Sequence, residues 1–477
     1  MENSKEMEIL NEIETNNEME ILNEIETNNK IETNNEILTC FIWFCLGFLA
    51  TFGYKIHEKS AKIFVMIFTL SGDQNTNFGL IFEIILISLY FSGILIAFLL
   101  FPVSIFWLQI FLNITCFMFL LMILPSAMLV KLTPESAETV RLIFYILNGF
   151  CSFGIGVITM TGASLITDGF VGGKTSLKLL FYLLSYPVAE FASDLANNFF
   201  YSFYHGYLNG FGKRLAKFMS YELAIILLIY LVTSFLIYSF GNYKDPNHKI
   251  WMKSNVTNKT NIFKKALKVF IRQPKSIFLL LISNITYGVF QIYSMLYLVN
   301  VVDGQFAYLT MLSMTVSVFD FIGRLISGLV RIRMEKRLCP DDSEPKTEVC
   351  YLSPMLIIWL LVISQIIILL VTCYSLAIDL PGTLGSFFSH NIALLMSCFF
   401  GLVRGLVGSI VYYRASNVKV NNILEVIIDD VLTSDDVNLV KCFGIGFYVI
   451  IEAVTLVLIK ITNIYFIRLV QRQMQRH

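Results

Sequence analysis

The residues most able to do chemistry in this chain are ionisable side chains set inside long apolar runs. Placing one at the centre of a membrane-spanning helix costs on the order of 2.5–3.5 kcal/mol, so each marks either a solute pathway or a buried pair. In SVFDFIGRLISGLV, Asp320 and Arg324 stand four residues apart, on one side of a helix, where they can pair. Gly323 beside them, and Gly328 further on, would let a second helix come close. In SYPVAEFASDLANN, Glu190 and Asp194 repeat the four-residue spacing, with Asn197 near the same side. Two carboxylates this close resist joint ionisation, so one could carry a proton; alternatively the helix ends early and both sit among headgroups. Arg404 in FFGLVRGLVGS is flanked by Gly401, Gly405 and Gly408, a small-residue helix side that suits either packing or an anionic solute. Glu83, Glu452 and Lys460 are weaker candidates, and Glu83 and Lys460 lie near enough to span ends to reach the interface.

Neutral groups complete the inventory. Asn284, Tyr287, Gln291 and Tyr293 follow one another at short intervals among aromatics, a set that suits a flat, uncharged, polar solute. Gly149, Gly154, Gly156 and Gly162 crowd LNGFCSFGIGVITMTGASL, where small residues serve close helix packing first and approach to a ligand second. The sequence has no Walker loop, no Ser-His-Asp arrangement, no HExxH, no paired-Cys metal spacing and no TVGYG-like filter. No cofactor or metal is therefore expected, and a membrane enzyme, an ATP-driven pump and an ion channel have little support.

The elements that must position these residues follow from composition. Of 477 residues, 56% are hydrophobic and only 15% charged, with a mean hydropathy of +0.69. A soluble core cannot bury that excess, which excludes nucleic-acid-binding domains and secreted disulfide scaffolds and leaves a polytopic membrane protein. Apolar runs of membrane-crossing length fall near 37–53, 78–100, 104–125, 142–166, 178–199 and 221–240, then near 277–299, 307–330, 354–376, 391–413 and 442–466. These runs are continuous, not alternating, so strands are implausible and the expected fold is all-α, about eleven spans in a 6+5 facilitator-like arrangement. The implied units are an acidic tail (1–36), a six-helix bundle (37–240), a basic loop with an interfacial helix (241–276), a five-helix bundle (277–467) and a short tail (468–477).

Lys and Arg orient the spans, since cytosolic loops collect them. Residues 241–275 carry nine and 331–353 five, whereas 300–306 and 377–390 carry none. The bias places the amino terminus in the cytosol, although Lys55, Lys59 and Lys62 then fall outside, and a twelfth span in 61–71 would reverse all that follows. Residues 1–36 hold eleven Glu against Lys5 and Lys30, in a repeat of EMEILNEIETNN, which reads as a disordered acidic tail or a partner-binding helix. The segment 261–276 sets Phe263, Leu267, Phe270 and Ile271 against Lys264, Lys265, Lys268 and Arg272, as in a helix lying on the inner leaflet. Most cysteines lie in apolar runs as small hydrophobes, and only Cys339 and Cys350 share a polar loop. The plasma membrane is a more natural location than an internal one, and the expected partners are lipid and a small solute, with no nucleic acid.

With its six-plus-five layout, its basic loop before the seventh span and VFDFIGR in the eighth, the chain resembles the equilibrative nucleoside transporters. Asp320, Gly323 and Arg324, with Phe319 beside them, resemble that family's Phe-x-x-Asp-x-x-Gly-Arg region; Asn148, Gly156, Arg404-Gly405 and Ser409 extend the likeness. Span one has Trp43 without the family's Pro-Trp-Asn, and Ile155 stands where a substrate-contacting Gln is frequent. The resemblance implies facilitated diffusion of a nucleoside or nucleobase by alternating access, with Asp320 and Arg324 binding the solute or gating its cavity. The competing readings are another major-facilitator-type carrier, proton-coupled through Glu190 and Asp194, and a multi-pass protein that transports nothing. Six apolar or small residues, Leu325 to Val330, separate Arg324 from the loop basics, which places the pair within the span and favours the nucleoside-transporter reading.

Overall fold

The computed structural model describes residues 37–38, 40–55, 78–100, 105–128, 134–165, 175–204, 221, 224–236, 256–301, 306–338, 359, 361–367, 383–416 and 434–474. The acidic tail, residues 61–71 and the Cys339 and Cys350 pair lie outside them. The described residues are helical apart from Leu100 and the turn at Arg272 and Gln273. In chain order the helices are α1 (Cys40–Lys55), α2 (Phe78–Leu99), α3 (Ile105–Met128), α4 (Pro134–Leu165), α5 (Thr175–Tyr204), α6 (Ala224–Leu236), α7 (Val256–Ile271), α8 (Pro274–Val301), α9 (Phe306–Leu338), α10 (Thr383–Ser416) and α11 (Ser434–Met474). Stretches within α2, α4, α9, α10 and α11 are long and apolar enough to cross a membrane.

Prolines set two of the boundaries. Pro134 opens α4 and Pro274 opens α8, each at a position where the missing N–H has no intrahelical partner to lose. The residue before a proline is pushed out of the helical region, so α7 stops short of Pro274 and α8 starts afresh, its Ser276 and Ile277 amides donating back to the Gln273 carbonyl.

Polarity is distributed as hydrocarbon requires. On α2, Ile81, Ile84, Leu89 and Ile96 are exposed, as are Leu228, Leu231 and Phe235 on α6, while Glu190, Asp194, Asp320 and Arg324 are buried. Apolar side chains face outward and charges face one another within, the reverse of a soluble protein.

Small residues decide which helices touch. α9 and α10 form the most intimate pair. A Cβ on Gly323 would run into the Leu402 carbonyl, and one on Gly405 into the Asp320 carbonyl, so the two backbones meet with no side-chain layer between them. Gly156 lies against the Tyr90 carbonyl and Gly154 against the Thr115 hydroxyl, which joins α4 to α2 and α3. α5 packs along α9, and α11 packs on α2 and α4 through Phe98, whose ring meets Phe443 and Phe447 edge-on at 5.7 and 5.1 Å. α7 turns Ile262, Ala266 and Val269 inward, stacks Phe270 on Phe447 of α11 at 4.7 Å, and leaves Lys264, Lys268 and Arg272 exposed.

Gly405→Leu should therefore cost about 1–3 kcal/mol by overpacking, read as a lower melting temperature of the detergent-solubilised protein. Gly162→Ala, whose new methyl would sit 3.4 Å from Tyr182, should leave the melting temperature unchanged.

Candidate functional site

α9 carries Asp320 and Arg324 one turn apart on the side facing the interior. The Arg324 Nε donates to Asp320 Oδ1 at 2.7 Å, and its Nη2 reaches Oδ2 at 3.4 Å. Across the glycine contact, α10 delivers Arg404, whose Nε stands 3.7 Å from the same Oδ2. Asp320, with 0% exposure, is thus held between two guanidinium groups. The other end of Arg404 makes a two-pronged pair with Glu190 of α5, Nη1 to Oε2 at 2.9 Å and Nη2 to Oε1 at 3.0 Å. This fork-to-fork geometry is the strong form of the arginine–carboxylate bond. Lys55, in the last turn of α1, completes the series with its Nζ 3.4 Å from Glu190 Oε1. One chain of alternating charge, Lys55–Glu190–Arg404–Asp320–Arg324, therefore ties together α1, α5, α10 and α9. Two aromatic faces support it: Arg404 lies over Tyr287 at 4.5 Å and Arg324 over Tyr186 at 5.5 Å.

These charges form part of the wall of a cavity of about 170 Å³ between the helices of the two halves of the chain. Tyr54, Tyr90, Tyr186, Tyr287 and Tyr412 line it with Lys55, Arg324, Arg404, Lys460, Glu190 and Glu452. Glu452 of α11 accepts a hydrogen bond from the Tyr412 hydroxyl at 2.7 Å, and the Asn284 amide donates to Thr455 at 3.1 Å. A space this small, walled by rings and by charges most of which are paired, can hold a compact polar solute that exchanges hydrogen bonds with the wall.

Of the residues singled out in the sequence, Asp320, Arg324, Arg404, Glu190, Tyr287 and Asn284 converge here; Asp320 sits behind the two arginines and the other five line the cavity. Asp194 does not line it: its Oδ2 accepts from Ser313 of α9 at 2.6 Å, so the two carboxylates of α5 face different partners. α5 continues to Tyr204, so both lie inside the helix, and both are buried. Gln291 falls on α8 with its side chain outside the described set. Gly323 and Gly405 lie at the α9–α10 contact, and Gly154 and Gly156 at α4's contacts with α3 and α2.

Two residues that the sequence left at the margins belong to the site: Lys55 is a member of the ion-pair chain, and Lys460 lines the cavity. Sequence reasoning also passed over Tyr54, Tyr90, Tyr186 and Tyr412 and ranked Glu452 low. A signal existed: Tyr186 with Glu190, and Arg404, Gly408 and Tyr412, repeat at the four-residue interval that puts them on one helix side.

Removing one member of a buried ion pair leaves the other uncompensated, at a cost of about 3–5 kcal/mol. Glu190→Gln should accordingly lower the thermal stability of the detergent-solubilised protein strongly, and adding Arg404→Gln should recover part of the loss. A double change as damaging as the sum of the two single ones would show that the pair is not coupled. No protein-family model matches the chain and no curated protein matches it, so a functional reading rests on this geometry and on the sequence resemblance.

Proposed function

We propose that the protein is a membrane carrier that moves a small polar solute by alternating access about the central cavity. The observation that carries this reading is the placement of paired charges from both halves of the chain on one cavity wall. Glu190 and Lys55 come from the first half, and Arg404, Asp320 and Arg324 from the second. An ion pair that joins two bundles can break on one side as the bundles rock and re-form when they return, and a solute can replace one partner meanwhile. The full architecture in this reading is eleven spans, six and five, with a cytosolic amino terminus.

The solute class follows from the resemblance to equilibrative nucleoside transporters: a nucleoside or nucleobase. Five tyrosines and the Asn284 amide supply ring faces and hydrogen-bonding groups for a flat heterocycle. A second reading has its own observation, because four cations line the cavity against two carboxylates, Glu190 and Glu452. On that count a small organic anion is the competitor.

Uptake of radiolabelled adenosine and hypoxanthine into proteoliposomes containing the full chain decides between them. The nucleoside reading expects saturable uptake above protein-free vesicles, reduced at least about tenfold in the Asp320→Asn, Arg324→Gln double variant, which removes both charges and leaves none orphaned. Unchanged uptake in a folded double variant would sink the role given to the pair. Inhibition by small aromatic carboxylates, with no uptake of either purine, would favour the anion carrier.

A further inference from the structure

The carboxylates of the cavity are not equivalent. Glu190 has Arg404 and Lys55 within ion-pair distance, and Asp320 has Arg324 and Arg404. Glu452 has neither kind of partner: among the described residues it makes no ion pair within 4.0 Å, and its side chain has one hydrogen bond, from the Tyr412 hydroxyl to Oε2. It lies within about 3 Å, along the helix axis, of the middle of the apolar stretch Val440–Ile461. A carboxylate at that depth without a cation beside it has two ways to avoid the cost of a bare buried charge: to take up a proton, or to borrow a positive group from the solute.

The groups facing it weigh against the second. Arg324 and Asp320 of α9 and Arg404 of α10 face it across the cavity, but these two arginines are committed to Asp320 and Glu190 by direct pairs. Tyr90 of α2 and Tyr182 and Tyr186 of α5 face it as neutral rings. Lys55 of α1 and Lys460 of its own helix stand on the same cavity wall, and four cations there would repel a cationic solute. A proton is the one cation that needs no further room and only the single acceptor oxygen that Tyr412 leaves open. α11 packs against α2 and α4 across the seam between the halves, so rocking of the bundles would carry Glu452 between the two water-exposed sides.

We infer that Glu452, oriented by Tyr412, is the proton-binding group of a proton-coupled transport cycle, an inference that rests on the carrier reading above. One proton adds to the Glu452 carboxylate from the side of higher proton activity, crosses with the solute, and leaves on the other side. The carrier would then accumulate its solute, not merely equilibrate it.

The first test needs no solute. In infrared titrations of the full-length purified protein and of Glu452→Gln, the difference between the two should contain one protonated-carboxyl C=O band that grows as pH falls. Tyr412→Phe should keep the amplitude of the band and move its midpoint, which guards against a Gln variant that fails to fold. In proteoliposomes with the membrane potential clamped at zero, an inward gradient of one pH unit should support up to about tenfold accumulation of adenosine or hypoxanthine. Glu452→Gln should lose that response to a greater extent than it loses exchange of labelled for unlabelled solute. No difference band between the wild type and Glu452→Gln, a gradient response that survives the change, or a requirement for sodium in place of protons would overturn the proposal. Equal loss of exchange and gradient-driven uptake would make Glu452 a solute contact and overturn it likewise. If neither purine crosses in any mode, the nucleoside reading fails while the infrared result still decides the proton site.

Discussion

The organisation of this protein depends on the burial of Asp320 between two guanidinium groups. A single carboxylate in a medium of low dielectric would be expelled or would unfold its helix, and one arginine four residues along α9 only moves the problem to the arginine's remaining donors. Arg404 resolves it by reaching from α10 to the second oxygen of Asp320 and, with its other edge, to Glu190 on α5. Each charge added to neutralise the last requires a further helix in a fixed place, until Lys55 ends the series on α1. The contacts among these four helices follow from that electrostatic requirement as much as from apolar packing, because in lipid an apolar surface gains little by leaving one hydrocarbon for another.

What could be read in the sequence divides along the same line. Features that repeat with the helix period were visible: Asp320 with Arg324 and Arg404 among its glycines announce themselves by spacing, whereas Glu190 and Asp194 share that spacing and face different partners. Partners far apart in the chain did not announce themselves. Nothing around Lys55 says that its counterion is residue 190, and a lysine just past an apolar run is ordinarily a snorkelling or loop charge. Glu452 was visible as a lone carboxylate, but the tyrosine that holds it is forty residues earlier on another helix. The membrane-crossing character of the chain was plain from composition, whereas helix ends were not: α4 begins at Pro134, before its apolar run, and α11 reaches Met474, beyond its own.

The segment 261–276 teaches a different lesson. Its amphipathic pattern is consistent with a helix lying on a bilayer, and α7 is indeed a helix with exposed cations. Its inward side, however, meets protein: Ile262, Ala266 and Val269 are buried, and Phe263 and Phe270 pack on Phe443 and Phe447 of α11. A hydrophobic stripe records that something apolar covers it, and lipid tails and phenylalanine rings leave the same record in a sequence.

The glycine contact between α9 and α10 has a mechanical side. Where Gly323 and Gly405 bring two backbones together there is no cushion of side chains to repack, and sliding one helix past the other would drive carbonyl oxygens into neighbouring chain atoms. The two helices must travel as a single rigid strut. Asp320, Arg324 and Arg404 therefore share one frame, and the links that leave it are the pair of Arg404 with Glu190 and, beyond it, that of Glu190 with Lys55. The rigid end of the charge chain is set by two residues that carry no charge at all.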